Sequence, residues 1–269
     1  NLFPDKPYYS LENPDTRNAV ISDPRGFFNA NADGAIIDEF QRYPELLSYM
    51  QGVVDEKQQK GQFILTGSNN VSMLTNVSQS LAGRVAILKL LPFSVSEILD
   101  ITKDYSVDDY LYKGFYPGIY ANDLNPTKAY RNYYETYIER DVRQLINIKD
   151  LVSFQKFIRL CAGRTGQLFN ASNLATEVGT SYVTIQSWLS VLQATYVVFM
   201  LQPWSVNLSK RFVKTPKLYF YDVGLASYLL GIENTKHVET HPLRGSLFEN
   251  LVVVDLLKKR YNAGMDNNL

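Results

Sequence analysis

Residues 34–39 read Gly-Ala-Ile-Ile-Asp-Glu, a short apolar run that ends in two acids. Two more short apolar runs follow, Gln62 to Ser68 and Arg84 to Leu88. Each run is too short and too apolar for a surface helix and is typical of a strand buried on both faces. Helical patterns lie between the runs, one beginning at Pro44 and one covering Val71 to Ser80. This alternation predicts crossover units on a parallel sheet, and therefore an α/β fold with flanking helices.

The composition is that of an ordinary packed globule. The 269 residues are 45% apolar and 20% charged, which excludes a disordered or low-complexity chain and suits one large or two small domains. Lysine plus arginine and aspartate plus glutamate both total 27, so no net charge draws the chain to nucleic acid or to an anionic membrane. Any contact with nucleic acid must therefore be local.

Cysteine content and hydropathy bear on the compartment. The single Cys161 excludes an internal disulfide and a thiolate metal cluster, as expected in a reducing cytosol. The longest nearly apolar run, Ala194 to Leu201, is far too short for a membrane helix. We therefore predict a soluble, cytoplasmic protein with no membrane partner. Asn1 and the polar run from Asn262 to Leu269 lead us to expect a chain cut at both ends.

Changes in composition mark the predicted domain boundaries. After residue 100 the chain turns acidic and rich in tyrosine and glycine, and Asn125-Pro126 then opens a long amphipathic helix. The predicted regions are a partial α/β domain (1–100), a linker with the long helix (101–149), a winged helix (150–222) and the start of a C-terminal domain (223–269).

A helix-turn-helix pattern followed by two strands supports the third of these regions. Helices are predicted from Leu151 to Cys161, from Ser172 to Val178 and, after a turn at Gly179, from Tyr182 to Gln193. Strands are predicted from Tyr196 to Leu201 and from Leu218 to Tyr221, with a basic connection between them. This order predicts a mostly helical winged-helix domain.

The acid pair Asp38-Glu39 at the end of a buried strand is the strongest chemical signal. In nucleotide hydrolysis the first acid of such a pair holds the magnesium shell, and the second orients the attacking water. The alternative is that two acids end a strand and favour the N-terminus of the next helix. Thr66-Gly67-Ser68-Asn69 follows the next strand and brings polar groups to the same sheet edge, as a plain turn would also do. Arg84 could donate a charged fork to phosphate or form a surface salt bridge.

The sequence contains no phosphate cradle of a known kind. No two glycines have the spacing of a Gly-x-x-x-x-Gly-Lys loop, and there is no Gly-x-Gly-x-x-Gly motif. Either the acid pair is structural, or the cradle lies upstream of Asn1.

The predicted winged helix suggests a different function. Its third helix presents outward four side chains able to contact base edges, Tyr182, Thr184, Gln186 and Ser187. The connection between the two strands carries Lys210, Arg211 and Lys214, which could neutralise phosphates. The third helix itself has no basic residue, so packing against another protein is an equal alternative.

Two further groups have candidate roles in the C-terminal region. His237 and His241 flank Glu239 in a predicted loop, which is a poor arrangement for the three or four rigid ligands of a metal site. A last helix is predicted from Ser246 to about Arg260. Glu249 is interpreted as half of a capping box with Ser246, and the alternative is a metal-binding carboxylate.

Several motifs occur in a specific order along nearly the whole chain. In the first half they are Tyr9 to Asp15, Asp23 to Phe27, Ile36 to Glu39, Ile64 to Ser68 and Ser80 to Arg84. In the second half they are Tyr137 to Val142, Pro216 to Leu225 and Arg244 to Asn250. In this order they resemble the predicted bacterial and archaeal AAA-type P-loop ATPases that carry a C-terminal domain of unknown function.

The resemblance implies a Walker A loop just before this segment and a Walker B pair at Asp38 and Glu39, the first for magnesium and the second for water. It places Ser68 and Asn69 at the sensor position, beside the nucleotide. It makes Arg84 the family's arginine, acting within the chain or on a neighbouring subunit of a homo-oligomer. It also implies a restriction-endonuclease-like C-terminal part, with Glu249 on its first helix and its other acidic and lysine positions after Leu269.

We therefore expect an ATP-binding, ATP-hydrolysing AAA-type protein whose cofactors are ATP and magnesium. It would couple the nucleotide state to movement of its winged-helix region against a DNA or protein partner. The alternative is a DNA-binding or scaffolding winged-helix protein whose ATPase-like half is inert. Without the cradle, these 269 residues alone are not expected to bind the nucleotide.

Overall fold

The computed structural model describes residues 2–57, 59–67, 81–102, 104–137, 150–204 and 214–269. The chain divides into two compact units, Asn1–Ile87 and Leu88–Leu269. This division comes earlier in the chain than the predicted boundary at residue 100.

A small parallel sheet organises the first unit. Its strands are β1 (Tyr8–Ser10), β2 (Ile36–Asp38) and β3 (Ile64–Leu65), in the order β1-β2-β3. Helices α1 (Pro14–Ser22) and α2 (Pro24–Ala30) connect β1 to β2, and α3 (Leu46–Lys57) connects β2 to β3. The predicted parallel α/β arrangement is confirmed for this unit, although the sequence pattern does not reveal β1, whose Tyr-Tyr-Ser sequence is short and polar.

Alternation along β2 separates the core of this unit from its exposed face. Ile37 is fully buried in one apolar cluster with Leu46, Leu47 and Met50 of α3. Ile36 and Asp38 are only half-buried, because neighbouring residues of a strand point to opposite faces of the sheet. The turn before β2 requires a glycine, since Gly34 has a φ of +103° and a Cβ there would lie 1.8 Å from the carbonyl oxygen of Gln62.

The predicted strand from Arg84 to Leu88 is wrong. These residues are described and form no strand, and the side chains of Ile87 and Leu88 are exposed. An apolar run becomes a buried strand only when a neighbouring strand takes up its backbone hydrogen bonds, and none of the described strands pairs with this segment. The predicted helix from Val71 to Ser80 lies outside the described residues.

Helices dominate the second unit. The first four are α4 (Val95–Ile101), α5 (Val107–Lys113), α6 (Pro117–Ala121) and α7 (Pro126–Tyr133). The Asn125 side chain caps α7 by accepting a hydrogen bond from the backbone N–H of Lys128, which confirms the predicted start of this helix. Tyr130 and Tyr134 are buried in the core of the unit.

The three predicted helices and two predicted strands of residues 150–222 are confirmed. The helices are α8 (Leu151–Ala162), α9 (Ala171–Val178) and α10 (Tyr182–Ala194), and the strands are β4 (Val198–Leu201) and β5 (Lys217–Phe220). Gly179 ends α9 in the left-handed conformation, and Trp188 of α10 packs against Phe154 and Phe157 of α8. The strands pair in antiparallel fashion, with Val198 opposite Phe220, and we call them the β-ribbon.

Three helices end the chain, namely α11 (Val223–Leu229), α12 (Thr235–Thr240) and α13 (Arg244–Asn262). Two predictions for this region are wrong. His237 lies in α12 and not in a loop, because the Asn234 side chain caps that helix by accepting from the N–H of His237. The last helix begins at Arg244, so Ser246 lies inside its first turn and does not form a capping box with Glu249.

The structure places the single cysteine and describes how long and how apolar the helices are. Cys161 is fully buried in α8, and burial raises the pKa of its thiol. Among the described helices, none combines the length and the hydropathy that crossing a membrane requires.

Candidate functional site

The carboxyl edge of the parallel sheet brings together the acid of β2 and the residue that follows β3. The Thr66 hydroxyl donates a hydrogen bond to Oδ1 of Asp38, and the Tyr8 hydroxyl of β1 donates to Oδ2 at 2.7 Å. The backbone joins the same strands, because the N–H of Thr66 donates to the carbonyl oxygen of Ile37 at 3.0 Å. Asp38 is thereby held by side chains from both neighbouring strands.

Hydrogen bonding keeps Asp38 ionised. The Thr66 hydroxyl has the larger effect and the Tyr8 hydroxyl the smaller, and together they hold the pKa of the Asp38 carboxyl below its ordinary value. A carboxylate offers about four acceptor positions. The two hydroxyls occupy one position on each oxygen, the backbone N–H of Glu39 also donates to this carboxylate, and the side chain is only half-buried. Asp38 can therefore accept a cation or a water in addition to its present partners.

Glu39 lies directly after β2 in an unusual backbone conformation. Its φ of +54° and ψ of +39° fall in the left-handed region, which non-glycine residues seldom adopt. Its carboxylate accepts a hydrogen bond from the side-chain amide of Gln41. It stands at the N-terminus of the short 3-10 turn Phe40–Arg42, and its side chain makes no capping hydrogen bond there. Strained backbone of this kind is enriched at functional sites.

The donor set of this edge fits magnesium. Mg²⁺ takes oxygen ligands and is usually held by one or two carboxylates together with waters and phosphate oxygens. Asp38 supplies a carboxylate, and the Thr66 hydroxyl lies beside it. The part of the chain that the structure describes contains no group of three or more His, Cys, Asp and Glu side chains able to hold a metal by themselves. A cation here would therefore complete its coordination with waters or with phosphate oxygens.

Arg84 does not join the acid pair in the described hydrogen bonds. Its guanidinium forks onto Asp55 of α3, with Nη2 3.0 Å from Oδ2, and Nη1 donates to the carbonyl oxygen of Ala82. This ion pair lowers the pKa of Asp55 and raises that of Arg84. Ser68 and Asn69, the predicted nucleotide contacts, lie outside the described residues.

The four candidate base-reading residues on α10 do not share one environment. The amide of Gln186 donates to the Tyr182 hydroxyl at 3.1 Å, and both residues line a cavity beside the β-ribbon. The Thr184 hydroxyl pairs with that of the N-cap residue Ser181, and Ser187 is exposed. Lys214 is exposed next to β5, whereas Lys210 and Arg211 lie outside the described residues.

Glu249 has a contact that the sequence does not indicate. Its Oε1 accepts hydrogen bonds from Lys217 Nζ at 2.7 Å and from the Tyr219 hydroxyl at 2.6 Å, both on β5. These bonds lower the pKa of Glu249. Lys217 and Tyr219 are two residues apart on one strand and therefore point to the same face, which is the signal that could have indicated a common partner.

Tyr8 is the residue of the sheet edge that sequence reasoning misses. The signal that could have found it is strand register, since Tyr8 and Ser10 lie on the same face of β1 and Ser10 is aligned with Asp38. That signal becomes readable only when β1 is recognised as a strand.

Two known domain families match separate parts of the chain. Residues 3–99 match an AAA domain, and residues 104–236 match a domain of unknown function, DUF8612. No solved structure matches the chain.

Three curated relatives match the chain over much of its length. Uncharacterized proteins of Mycobacterium tuberculosis and Mycobacterium bovis are each 30% identical over 249 residues, which is 92% of this chain and 56% of theirs. An uncharacterized protein of Haemophilus influenzae is 24% identical over 215 residues, or 74% of this chain and 52% of its own. The chain thus spans about half the length of the curated relatives it matches.

Proposed function

Since the chain joins an N-terminal AAA domain to a domain of unknown function, we propose that it is part of an ATPase that binds Mg–ATP at the carboxyl edge of its parallel sheet. Asp38 carries the proposal, as an ionised carboxylate at a strand end with a hydroxyl beside it and acceptor positions left over. In AAA domains generally, nucleotide and magnesium are used together.

Each residue at the edge has a role in this proposal. Asp38 holds the hydrated magnesium ion, with Thr66 keeping its carboxylate in place. Glu39 orients the water that attacks the terminal phosphate. Ser68 and Asn69 contact that phosphate, and Arg84 offers it a charged fork once released from Asp55.

The 269 residues contain no Gly-x-x-x-x-Gly-Lys loop, so in this proposal the loop that binds the phosphates belongs to another part of a longer protein. The proposal is therefore one about the longer protein. In that protein the nucleotide state would be coupled to the helix-turn-helix region and to the partner it binds.

The test is ATP turnover by the full-length protein that contains this chain. Glu39→Gln should lower kcat about 10²- to 10⁴-fold while leaving ATP binding intact, since the amide cannot act as a base. Glu45→Gln is the matched control, because Glu45 is an exposed acid of the same unit. An unchanged rate in Glu39→Gln would remove the assignment.

A second candidate function follows from residues 150–222. The order of three helices and an antiparallel β-ribbon supports a winged helix, and Lys214 is exposed at the ribbon. This region would bind DNA or serve as a scaffold, with the ATPase-like half inert. Binding of duplex and of single-stranded DNA across a salt series, with Lys210→Ala and Arg211→Ala, tests the DNA form; absence of binding to both at low salt rejects it.

A further inference from the structure

A cavity of about 500 Å³ opens between the N-terminus of α9, the outer side of α10 and the β-ribbon. Its polar lining includes four side-chain amides and three hydroxyls, and none of the described side chains that line it is charged. Phe169, Leu189 and Met200 add apolar surface. We call this cavity the ribbon pocket, and it is bounded by Asn170, Gln186, Gln193, Met200, Gln202 and Thr215.

We propose that the ribbon pocket binds an unpaired base of a single-stranded nucleic acid. This inference rests on the nucleic-acid form of the second candidate function and is independent of ATP hydrolysis. The volume lies within the range of ordinary ligand sites, and the mixture of apolar surface and a few polar groups is also typical of them.

The chemistry of the lining favours a base. Amides offer a donor and an acceptor side by side, which is the pattern that pairs with the edge of a nucleobase. In the pocket, Gln186 is already oriented by its hydrogen bond to the Tyr182 hydroxyl. Tyr182 is 53% exposed, so its ring is available for stacking against a base. An anionic ligand would find no cation among the described lining residues.

The distribution of charge around the pocket fits a polymer with phosphates outside and a base inside. Lys214 is exposed and precedes Thr215, which lines the pocket. A cation beside an uncharged pocket can contact a phosphate of the backbone while the base enters the cavity.

The same geometry disfavours a duplex read by α10. A helix that enters a major groove must protrude and present its base-reading side chains together. Here Tyr182 and Gln186 line a concave site, while the Thr184 hydroxyl is paired with Ser181. A paired base cannot leave its stack to enter a cavity without being extruded, whereas an unpaired base can.

Fluorescence anisotropy with short fluorescein-labelled oligonucleotides tests the proposal on the 269-residue chain. The probes are single-stranded DNA and single-stranded RNA of one mixed sequence, and the same DNA annealed to its complement. Single strands should bind about tenfold more tightly than the duplex, because stacking and edge contacts need an unpaired base. The DNA and RNA arms identify the sugar that is preferred, and binding of either single strand more tightly than the duplex supports the proposal.

Two pocket variants and one control locate the binding. Gln186→Met and Gln193→Met keep side-chain length but remove the amide, and each should weaken single-strand binding about fivefold or more. Ser187→Ala lies on the same helix outside the pocket and should bind as the unsubstituted chain does. Thermal unfolding checks that each variant is folded. Weaker binding by either glutamine variant is enough to locate the base in the pocket.

Three results would overturn the proposal. Duplex binding as tight as single-strand binding would favour conventional groove reading by the winged helix, which would stand without the ribbon pocket. Unchanged binding by both glutamine variants, with loss in Lys214→Ala, would show contact with phosphates alone. Binding of no oligonucleotide at low salt would remove this proposal and the nucleic-acid form of the second candidate function together, leaving the ATPase proposal untouched.

Discussion

The hydroxyl of Tyr8 on β1 donates a hydrogen bond of 2.7 Å to the carboxylate of Asp38 on β2. The first acid of the candidate site is thus held from a neighbouring strand, and its protonation depends on a residue 30 positions earlier in the chain.

Tyr8→Phe should raise the pKa of Asp38 toward its ordinary value, because one of the two hydroxyls that favour the carboxylate is lost. The Thr66 hydroxyl remains, so part of the depression should persist. Because the pKa of Asp38 is lower in the folded chain than in the unfolded chain, this residue stabilises the fold at pH values above its unfolded pKa. The stabilisation is lost as the pH falls through its folded pKa. Carboxyl chemical shifts followed across a pH titration measure the change.

The control for this titration is Tyr9→Phe. Tyr9 neighbours Tyr8 on β1, but its hydroxyl donates to Asn31 at 3.0 Å and not to Asp38. Identical Asp38 titrations in the unsubstituted chain and in Tyr8→Phe would contradict the assigned contact.

Asp222 organises a buried junction in the second unit. One oxygen of this 1% exposed residue accepts from the Phe115 N–H at 2.8 Å, and the other accepts from the Tyr130 hydroxyl at 2.6 Å and the Leu225 N–H at 3.1 Å. Asp222→Asn replaces one acceptor with a donor that faces these donors. We expect a loss of about 2–4 kcal/mol in the free energy of unfolding, measured by urea titration.

Asp266→Asn makes the same change at an exposed position of the same unit and should alter stability by less than about 0.5 kcal/mol. Equal stability of the two variants would show that the carboxylate of Asp222 is not needed at the junction.

Neighbouring residues on α13 should differ sharply in their effects. Asn250 is fully buried, and its amide accepts from the Phe220 N–H at 2.7 Å and donates to the Phe220 carbonyl oxygen at 3.0 Å. Asn250→Ala leaves both backbone groups without this partner, so unfolding should become easier by about 2–4 kcal/mol. Glu249→Ala should cost only about 1 kcal/mol, because solvent screens its bond to Lys217 and water can replace the half-exposed carboxylate as acceptor for the Tyr219 hydroxyl. Thermal unfolding of both variants measures the contrast, and a larger loss in Glu249→Ala would contradict it.

Local signals explain which features the sequence predicts. Ile36 to Asp38 form a strand ending in an acid because the apolar run and its terminal carboxylate are adjacent in the chain. The start of α7 is predicted because Asn125 and Pro126 are strong helix-start residues. The start of α12 is missed because its Asn234 cap is overlooked.

Features that depend on distant residues are the ones that sequence reasoning misses. Arg84 to Leu88 has the pattern of a strand, yet pairing needs a neighbour that the pattern does not contain. The Tyr8–Asp38 contact needs the register of two strands. The ribbon pocket is assembled from elements as far apart as Asn170 and Pro216, so helix periodicity shows that Gln186 faces outward but not that it faces a cavity.

Lys258 gives a last prediction, because it is a lysine only 1% exposed. Its Nζ donates to the carbonyl oxygen of Phe93 at 2.8 Å and lies 4.4 Å from the centre of the Phe115 ring. Burial lowers the pKa of Lys258 to about 8, against the opposing effect of Asp222, Asp255 and Glu97.

Between the folded and unfolded pKa values of Lys258 the unfolded chain binds more protons, so the contribution of this residue to stability should increase with pH. Relative to Lys258→Met, the unsubstituted chain should gain about 1.5 kcal/mol between about pH 8 and pH 9.5. Ionisation of tyrosines is common to both chains and cancels in this difference. Urea unfolding at both pH values measures this difference. Lys259→Met is the matched control, because Lys259 is exposed and pairs with Asp255. Relative to Lys259→Met, which keeps Lys258, the unsubstituted chain should show no such gain. If Lys258→Met and Lys259→Met follow the same pH dependence, then Lys258 is not the group that titrates.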